Sequence, residues 1–285
     1  MMYEELYKEG ETAAEAVDRL RKIITLLRSS EGCPWDKAQT YESLKVCLIE
    51  EAYEVIEAVD KKDWDNLEEE LGDLLLQVVF YGDMGQEEDR FDIKTIANRE
   101  CEKMIRRHPH VFSNIKAESI DTALEKWENM KKKEKQGGLT ESMLSIPRAL
   151  PALRKSLKIQ AKAAEAGFDW ESVDPAFDKV TEEAQELLEA YRGLDFEGIR
   201  NELGDLLFAV VNIARFLKVD PEDALNFTSQ RFIKRFSFIE EAARAEGRDL
   251  ETMTLGEMDK LWEEAKKRET KSECPEVKGR DRIYK

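Results

Sequence analysis

Ten acidic residues stand in two sets with a single spacing. Glu50, Glu51 and Glu54 form Glu-Glu-x-x-Glu, and after fifteen intervening residues Glu70 and Asp73 form Glu-x-x-Asp. Glu182, Glu183 and Glu186, followed by Glu202 and Asp205, repeat the pattern. Side chains three apart on a helix share a face, so Glu51 with Glu54 and Glu70 with Asp73 each make a two-carboxylate patch. Four carboxylates in one cleft repel strongly unless cations sit between them. Oxygen ligands without His or Cys select the hard ions Mg²⁺ or Mn²⁺. The competing reading is a solvated acidic face, and two features weigh against it. Leu71, Leu74, Leu75, Val78 and Val79 make the Glu-x-x-Asp segment apolar almost all round. That is expected of a core helix, where an unpaired acid is costly. The spacing also recurs while residues between the acids drift, as at Tyr53 against Gln185.

The elements that must position these acids are helices. Apolar residues recur at i, i+3, i+4 and i+7 in most segments, and no alternating strand with a hairpin turn appears. The pattern predicts helices over 4–28, 41–60, 64–85, 92–107 and 118–134, and a second series over 147–166, 174–192, 196–218, 221–245 and 255–270. Asp63 and Asp195 stand at N-cap positions, and the short connections before them make each acid-bearing helix pair antiparallel. The two series are a duplication. LIEEAYEVIEAV at 48–59 matches VTEEAQELLEAY at 180–191 in six of twelve positions, at an offset of 132. ELGDLLLQVV at 70–79 matches ELGDLLFAVV at 202–211 in eight of ten, at the same offset. Trp127 with Lys131, and Trp35, recur at an offset of 135 as Trp262 with Lys266, and Trp170; the last pair is expected to pack at the start of each unit. The expected architecture is all-α, a tandem duplication of a four- to five-helix bundle. The expected domains are 1–138 and 139–285, divided near Gly137 and Gly138, with a frayed tail at 271–285.

Composition removes several function classes. The 62 acidic against 45 basic residues give a formal charge of −17 over 285 residues. Nucleic-acid affinity rests on neutralising phosphates with Lys and Arg, so a nucleic-acid partner is not expected, nor an anionic membrane surface. No apolar run approaches the ~18–20 residues of a membrane span. The acidic, polar N-terminus does not read as a signal or transit peptide. Cys33, Cys47, Cys101 and Cys274 are scattered, and His108 and His110 are the only histidines. The expectation is a soluble, reduced, cytoplasmic protein without a zinc site or a His-based metal centre.

Glu-Glu-x-x-Glu followed by Glu-x-x-Asp resembles the signature of the all-α nucleoside triphosphate pyrophosphohydrolases. The strings GCPWDKAQT, ELGDLLLQVVFYG, RRHPHVF, SIPRALPALRKSLKIQ and AGFDW are similar to those of the MazG type, over about residues 15–270. The resemblance implies a helical bundle, a homodimer, and Mg²⁺-dependent hydrolysis of NTPs and dNTPs to the monophosphate and pyrophosphate, in nucleotide-pool house-cleaning. It implies Glu51, Glu54, Glu70 and Asp73, and Glu183, Glu186, Glu202 and Asp205, as metal ligands, with Mn²⁺ a possible substitute. Glu50 and Glu182 would lie beside them, orienting water or substrate.

Triphosphate handling also calls for cations. Lys103, Arg106 and Arg107 form one basic stripe, and Arg231, Lys234 and Arg235 another. Arg231 and Arg235 are four apart and can grip one phosphate chain; an ordinary solvated face is the alternative. Trp262 with Lys266, and Trp127 with Lys131, could set an indole beside a base and an ammonium beside phosphate, or serve as packing anchors. His108 and His110 read as structural. Glu50 or Glu51, and Glu182 or Glu183, would orient or deprotonate the attacking water. A di-iron carboxylate bundle needs Glu-x-x-His, and Asp73 and Asp205 stand where His would be. The closer alternatives are a narrower relative, a dUTP, dCTP or phosphoribosyl-ATP pyrophosphatase, or a chain with one half acting as a non-catalytic dimerisation or regulatory module.

Overall fold

The computed structural model describes residues 3–113, 119, 120, 122–124, 126, 127, 130 and 138–272. None of the described residues is in a β-strand. The chain forms two compact units, Met1–Lys132 and Lys133–Lys285. The expected helix over 118–134 lies mostly outside the described residues, as do Lys131 and residues 273–285.

The first unit contains α1 (Ala13–Arg28), α2 (Pro34–Ala38), α3 (Leu44–Lys61), α4 (Trp64–Glu87), α5 (Ile93–Arg107) and α6 (Pro109–Phe112). Helix α1 begins nine residues later than the expected start at residue 4, with a separate 3₁₀ turn at Glu4–Tyr7. The reason is a capping box: the Glu15 amide donates to Thr12 Oγ1, and the Thr12 amide donates to Glu15. Pro34 and Pro109 open single-turn helices that the periodicity did not indicate. Helices α3 and α4 form the central hairpin. It turns at Lys62, whose φ of 56° is left-handed, and Asp63 then accepts the Asn66 amide at 3.2 Å. Helix α1 packs on α4, closing a core of Ile24, Leu44, Val79, Phe80 and Met84. His108 sits with Nδ1 2.7 Å from the Met104 carbonyl at the end of α5.

The second unit contains α7 (Leu139–Leu144), α8 (Ala152–Glu165), α9 (Asp174–Arg192), α10 (Phe196–Leu217), α11 (Pro221–Ala245) and α12 (Leu255–Ser272). Helix α8 starts at Ala152, after Pro151, not at 147. The α9–α10 hairpin reproduces the first: Leu194 is left-handed at φ 56°, and Asp195 accepts the Gly198 amide at 3.0 Å. Helix α8 packs on α10, and α11 packs on α8 and α12. The buried residues include Ala176, Ala209, Val211, Ile239, Ala243 and Ala265, a set dominated by small side chains that let the helices approach closely.

Two expectations are corrected here. Helix α4 is not apolar core all round: Val79 is fully buried, but Leu71 and Leu75 are 49% and 38% exposed. Helices α1 and α3 cover only part of its circumference. Trp35 does not pack into its unit and is 65% exposed. Its segment is held through the backbone instead, with Arg28 Nη1 donating to the Asp36 carbonyl at 2.9 Å, and this leaves the indole outside.

Candidate active site

Each central hairpin gathers carboxylates from both its helices. Glu51 of α3 with Glu70 and Asp73 of α4 place one oxygen each within 4.8 Å of one another. Glu183 of α9 with Glu202 and Asp205 of α10 do the same. Like charge in a partly dehydrated cleft disfavours ionisation. Burial first, then the charges of Asp73 and Glu54, raises the Glu51 carboxyl above the ordinary range. Glu70 is raised by burial and then by the charge of Glu54 beside it. Glu202 is raised by burial and then by Glu186 and Glu183. Glu54 and Glu186 thus act on their clusters from the edge, and Glu50 and Glu182 are exposed beside them. The donor set fits a hard divalent cation. Two oxygens on one Mg²⁺ lie at most ~4.2 Å apart, twice the ~2.1 Å ligand distance, so small side-chain movements would close either cluster on an ion.

The two clusters differ in their surroundings. In the second unit Lys179 bridges Glu183 at 2.5 Å and Glu182 at 2.9 Å, and these two carboxylates hold its ammonium well above the ordinary lysine range. Sequence reasoning missed Lys179, although its i, i+4 spacing to Glu183 was available; at the offset of 132 the first unit has Cys47. Glu183, Asp205 and Lys179 also line a cavity of about 590 Å³ between α8, α9 and α10. Phe168 and Trp170 reach it because Gly167, at φ +84°, turns the chain back after α8. Arg215 then clamps Asp169 through Nη1 at 2.9 Å and Nη2 at 2.5 Å.

In the first unit the positions that correspond in sequence carry different side chains. Aligning Gly32 and Trp35 with Gly167 and Trp170 sets Arg28 against Ala163, and the hairpin offset sets Phe80 and Asp83 against Asn212 and Arg215. The buried Arg28 guanidinium lies 5.2 Å from the centre of the Phe80 ring. It bonds Glu87 at 2.6 Å and faces Asp83 at 3.8 Å, while Thr25 donates to Asp83. A cation, a ring and an acid thus stand where the second unit has the cavity-lining Ala163, Asn212 and Arg215.

The expected substrate-binding cations lie on α5, α11 and α12, not on the acid-bearing hairpin helices. Arg235 donates to Glu269 at 2.9 Å and lies 5.5 Å from the Trp262 ring centre, which itself packs 5.0 Å from Phe232. These contacts are between α11 and α12. Arg231 lies over the Phe227 ring, and Lys266 pairs with Glu263 at 2.7 Å. Lys234 is exposed on α11. In the first unit Lys103 pairs with Glu100, Arg107 lies 5.9 Å from the Trp127 ring centre, and Arg106 is exposed beside it. Lys131 is outside the described residues.

The MazG nucleotide pyrophosphohydrolase domain matches residues 39–112 and, a second time, residues 171–237, each match enclosing one carboxylate cluster. The nucleoside triphosphate pyrophosphohydrolase of Escherichia coli (strain K12) is 43% identical over 257 residues, which are 89% of this chain and 98% of that protein. The nucleoside triphosphate pyrophosphohydrolase/pyrophosphatase MazG of Thermotoga maritima is 43% identical over 249 residues, 87% of this chain and 95% of that one. The uncharacterized protein YabN of Bacillus subtilis (strain 168) is 46% identical over 266 residues, and the chain spans about half of that relative, 54% of its length. With the domain present twice, and relatives matched almost end to end, the chain belongs to the MazG nucleotide pyrophosphohydrolase family.

Proposed function

We propose that the chain is a divalent-cation-dependent nucleoside triphosphate pyrophosphohydrolase, converting NTPs and dNTPs to the monophosphate and pyrophosphate with Mg²⁺, or Mn²⁺ in its place. The observation that carries this is the three-carboxylate cluster built twice, on two hairpins, with the pyrophosphohydrolase domain matched around each. Glu183, Glu202 and Asp205, with Glu186 at the edge, would hold the ion in the second unit; Glu51, Glu70, Asp73 and Glu54 are their counterparts in the first. When bound, such an ion supplies Lewis-acid activation of the phosphoryl group and screens the charge on the triphosphate. Glu182 or Glu183 accepts the proton of the attacking water, as Glu50 or Glu51 would in the first unit. The new P–O bond forms at the α-phosphoryl group or its neighbour, the bridge between α and β breaks, and pyrophosphate departs. Lys179, already paired with Glu182 and Glu183, sits where it can shift to a phosphate oxygen as substrate arrives.

The Arg28, Phe80 and Asp83 contacts at positions that line the cavity in the second unit favour a second reading within the first: turnover belongs to the second unit, and the first is a non-catalytic module. The proposed assembly is a homodimer. Val46, Ile49, Tyr53 and Ile56 form an exposed stripe along α3, and Leu203, Leu207 and Val210 another along α10, as expected of faces covered by a second copy. The proposed compartment is the cytoplasm; among the described residues no helix is long and apolar enough to cross a membrane. The proposed role in nucleotide-pool house-cleaning rests on broad substrate use. Incubation with each NTP and dNTP, with Mg²⁺, Mn²⁺ or a chelator, should give pyrophosphate and monophosphate from most substrates and nothing without a divalent ion. Turnover confined to dUTP, dCTP or phosphoribosyl-ATP would establish the narrower relative instead, and orthophosphate as first product would overturn the reaction.

A further inference from the structure

The two carboxylate clusters keep their charge in different company. In the second unit Lys179 stands four residues before Glu183 on α9, so the two side chains share a face. Its ammonium lies 2.5 Å from Glu183 Oε1 and 2.9 Å from Glu182 Oε1, and Glu183 is only 5% exposed. The lysine thus already supplies positive charge to a buried carboxylate that the cluster also offers to a divalent ion. In the first unit the corresponding residue is Cys47, and the charges acting on Glu51 are those of Asp73, Glu54 and Glu70. Sharing Glu183 between two cations is unfavourable. If one of its oxygens held both, they would stand at most ~4.6 Å apart, the 2.5 Å of the ion pair and the ~2.1 Å of a Mg²⁺–oxygen bond laid end to end. Like charges at that distance, in a partly dehydrated cleft, repel strongly.

We propose that Lys179 competes with the divalent ion for Glu183, so that the second cluster binds free ion more weakly than it would without the lysine. The inference rests on the pyrophosphohydrolase reading above and adds a residue that sets how the site is loaded. A triphosphate offers the displaced ammonium a new anionic partner, and the ion travels with that triphosphate. Ion and nucleotide then load the second site together, while free ion is disfavoured there. The first cluster has no ammonium at position 47, so free ion enters it without that competition.

The test is Mn²⁺ binding without nucleotide, read from the electron paramagnetic resonance of the free ion, on the full chain carrying Glu70→Gln and Asp73→Asn to silence the first cluster. In that chain Lys179→Met should tighten Mn²⁺ binding about ten- to a hundredfold, the worth of one hydrogen bond to a charged group. Lys179→Arg keeps the charge and should stay near the affinity of the chain with Lys179. A residue that merely supported the fold would loosen the site when removed, so tightening has no structural explanation. Unchanged or weaker binding in Lys179→Met overturns the proposal. Where that variant does not fold, the converse change decides. Cys47→Lys, in a chain with Glu202→Gln and Asp205→Asn silencing the second cluster, should weaken Mn²⁺ binding at the first about tenfold. Equal affinity with Cys or Lys at position 47 overturns the proposal. Failure of the underlying reading would look different: Mn²⁺ binding as expected, and no pyrophosphate from any nucleotide.

Discussion

A carboxylate that is crowded by other carboxylates is unfavourable for the fold and useful for chemistry, and Glu70 and Glu202 are the clearest cases. Each is raised above the ordinary carboxyl range by burial and then by neighbouring acids. Replacing either with Gln removes one of the repelling charges while keeping its shape. With divalent ions chelated, Glu70→Gln and Glu202→Gln are therefore expected to raise Tm, and the unmodified chain should gain Tm on adding Mg²⁺. Catalysis should move the other way. Glu202→Gln should cost more than the ~10–100-fold typical of losing an outer-sphere partner of a metal. Glu70→Gln should cost little if the first unit takes no nucleoside, and the double change should abolish turnover. Pyrophosphate release and thermal melts on the three variants check this. Near-normal turnover in the double variant would remove the clusters from the mechanism.

Elements whose boundaries are written in local chemistry were legible in the sequence, and those defined by what packs on them were not. Asp63 and Asp195 announced the start of α4 and α10, and both caps form. The three-apart acids announced two clusters, because helical spacing alone fixes that they share a face. The cavity was hidden, since it depends on α8 crossing α10 and on small side chains, Ala163 and Ala209, at contacts far apart in sequence. For the same reason the contacts of the Trp262 indole with Phe232 and Arg235 were not legible from the Trp-x-x-x-Lys spacing. Helix α12 shows how a local signal can also carry a pH dependence. The Thr254 amide donates to Glu257 at 2.8 Å, and Arg248 donates to the same carboxylate at 3.0 Å. Arg248 first, and then Thr254, hold the Glu257 pKa down to about 2. Because the folded value lies below the unfolded one, the stabilisation is fully present above about pH 4.5 and fades as pH falls towards 2. Glu257→Gln keeps the capping shape without the charge, so it should lower Tm at pH 7 and approach the parent in melts at progressively lower pH. A Tm deficit that stays constant down to pH 3 would assign the effect to shape.

For the whole molecule, the decisive quantity is how much apolar surface each unit leaves uncovered. The first unit buries a five-residue core around Ile24 and Val79 but exposes the α3 stripe and Leu71; the second buries mostly small residues and exposes Leu203, Leu207, Val210, Phe232 and Ile233. Units of roughly 130–150 residues can bury an adequate core alone, yet these hairpins keep apolar faces outward. A second copy packing hairpin on hairpin would bury those stripes and, at a net charge of −17, must outweigh the repulsion between two acidic chains. Folding and association should then be coupled, so stability depends on protein concentration and rises with salt. The fragments 1–138 and 139–285 separate the two hairpins, because α7 packs on α8 and so travels with the second. Each fragment is expected to be helical and to self-associate, since each carries its own stripe. Fragment 139–285 should release pyrophosphate from NTPs with Mg²⁺, because it holds the cluster, the cavity and the α11–α12 cations. Fragment 1–138 should fold without turnover. Circular dichroism, light scattering across a dilution series and product analysis read these outcomes directly. If both fragments fold as dimers and neither hydrolyses a nucleotide, the site is completed between the halves and the second unit is not an autonomous enzyme.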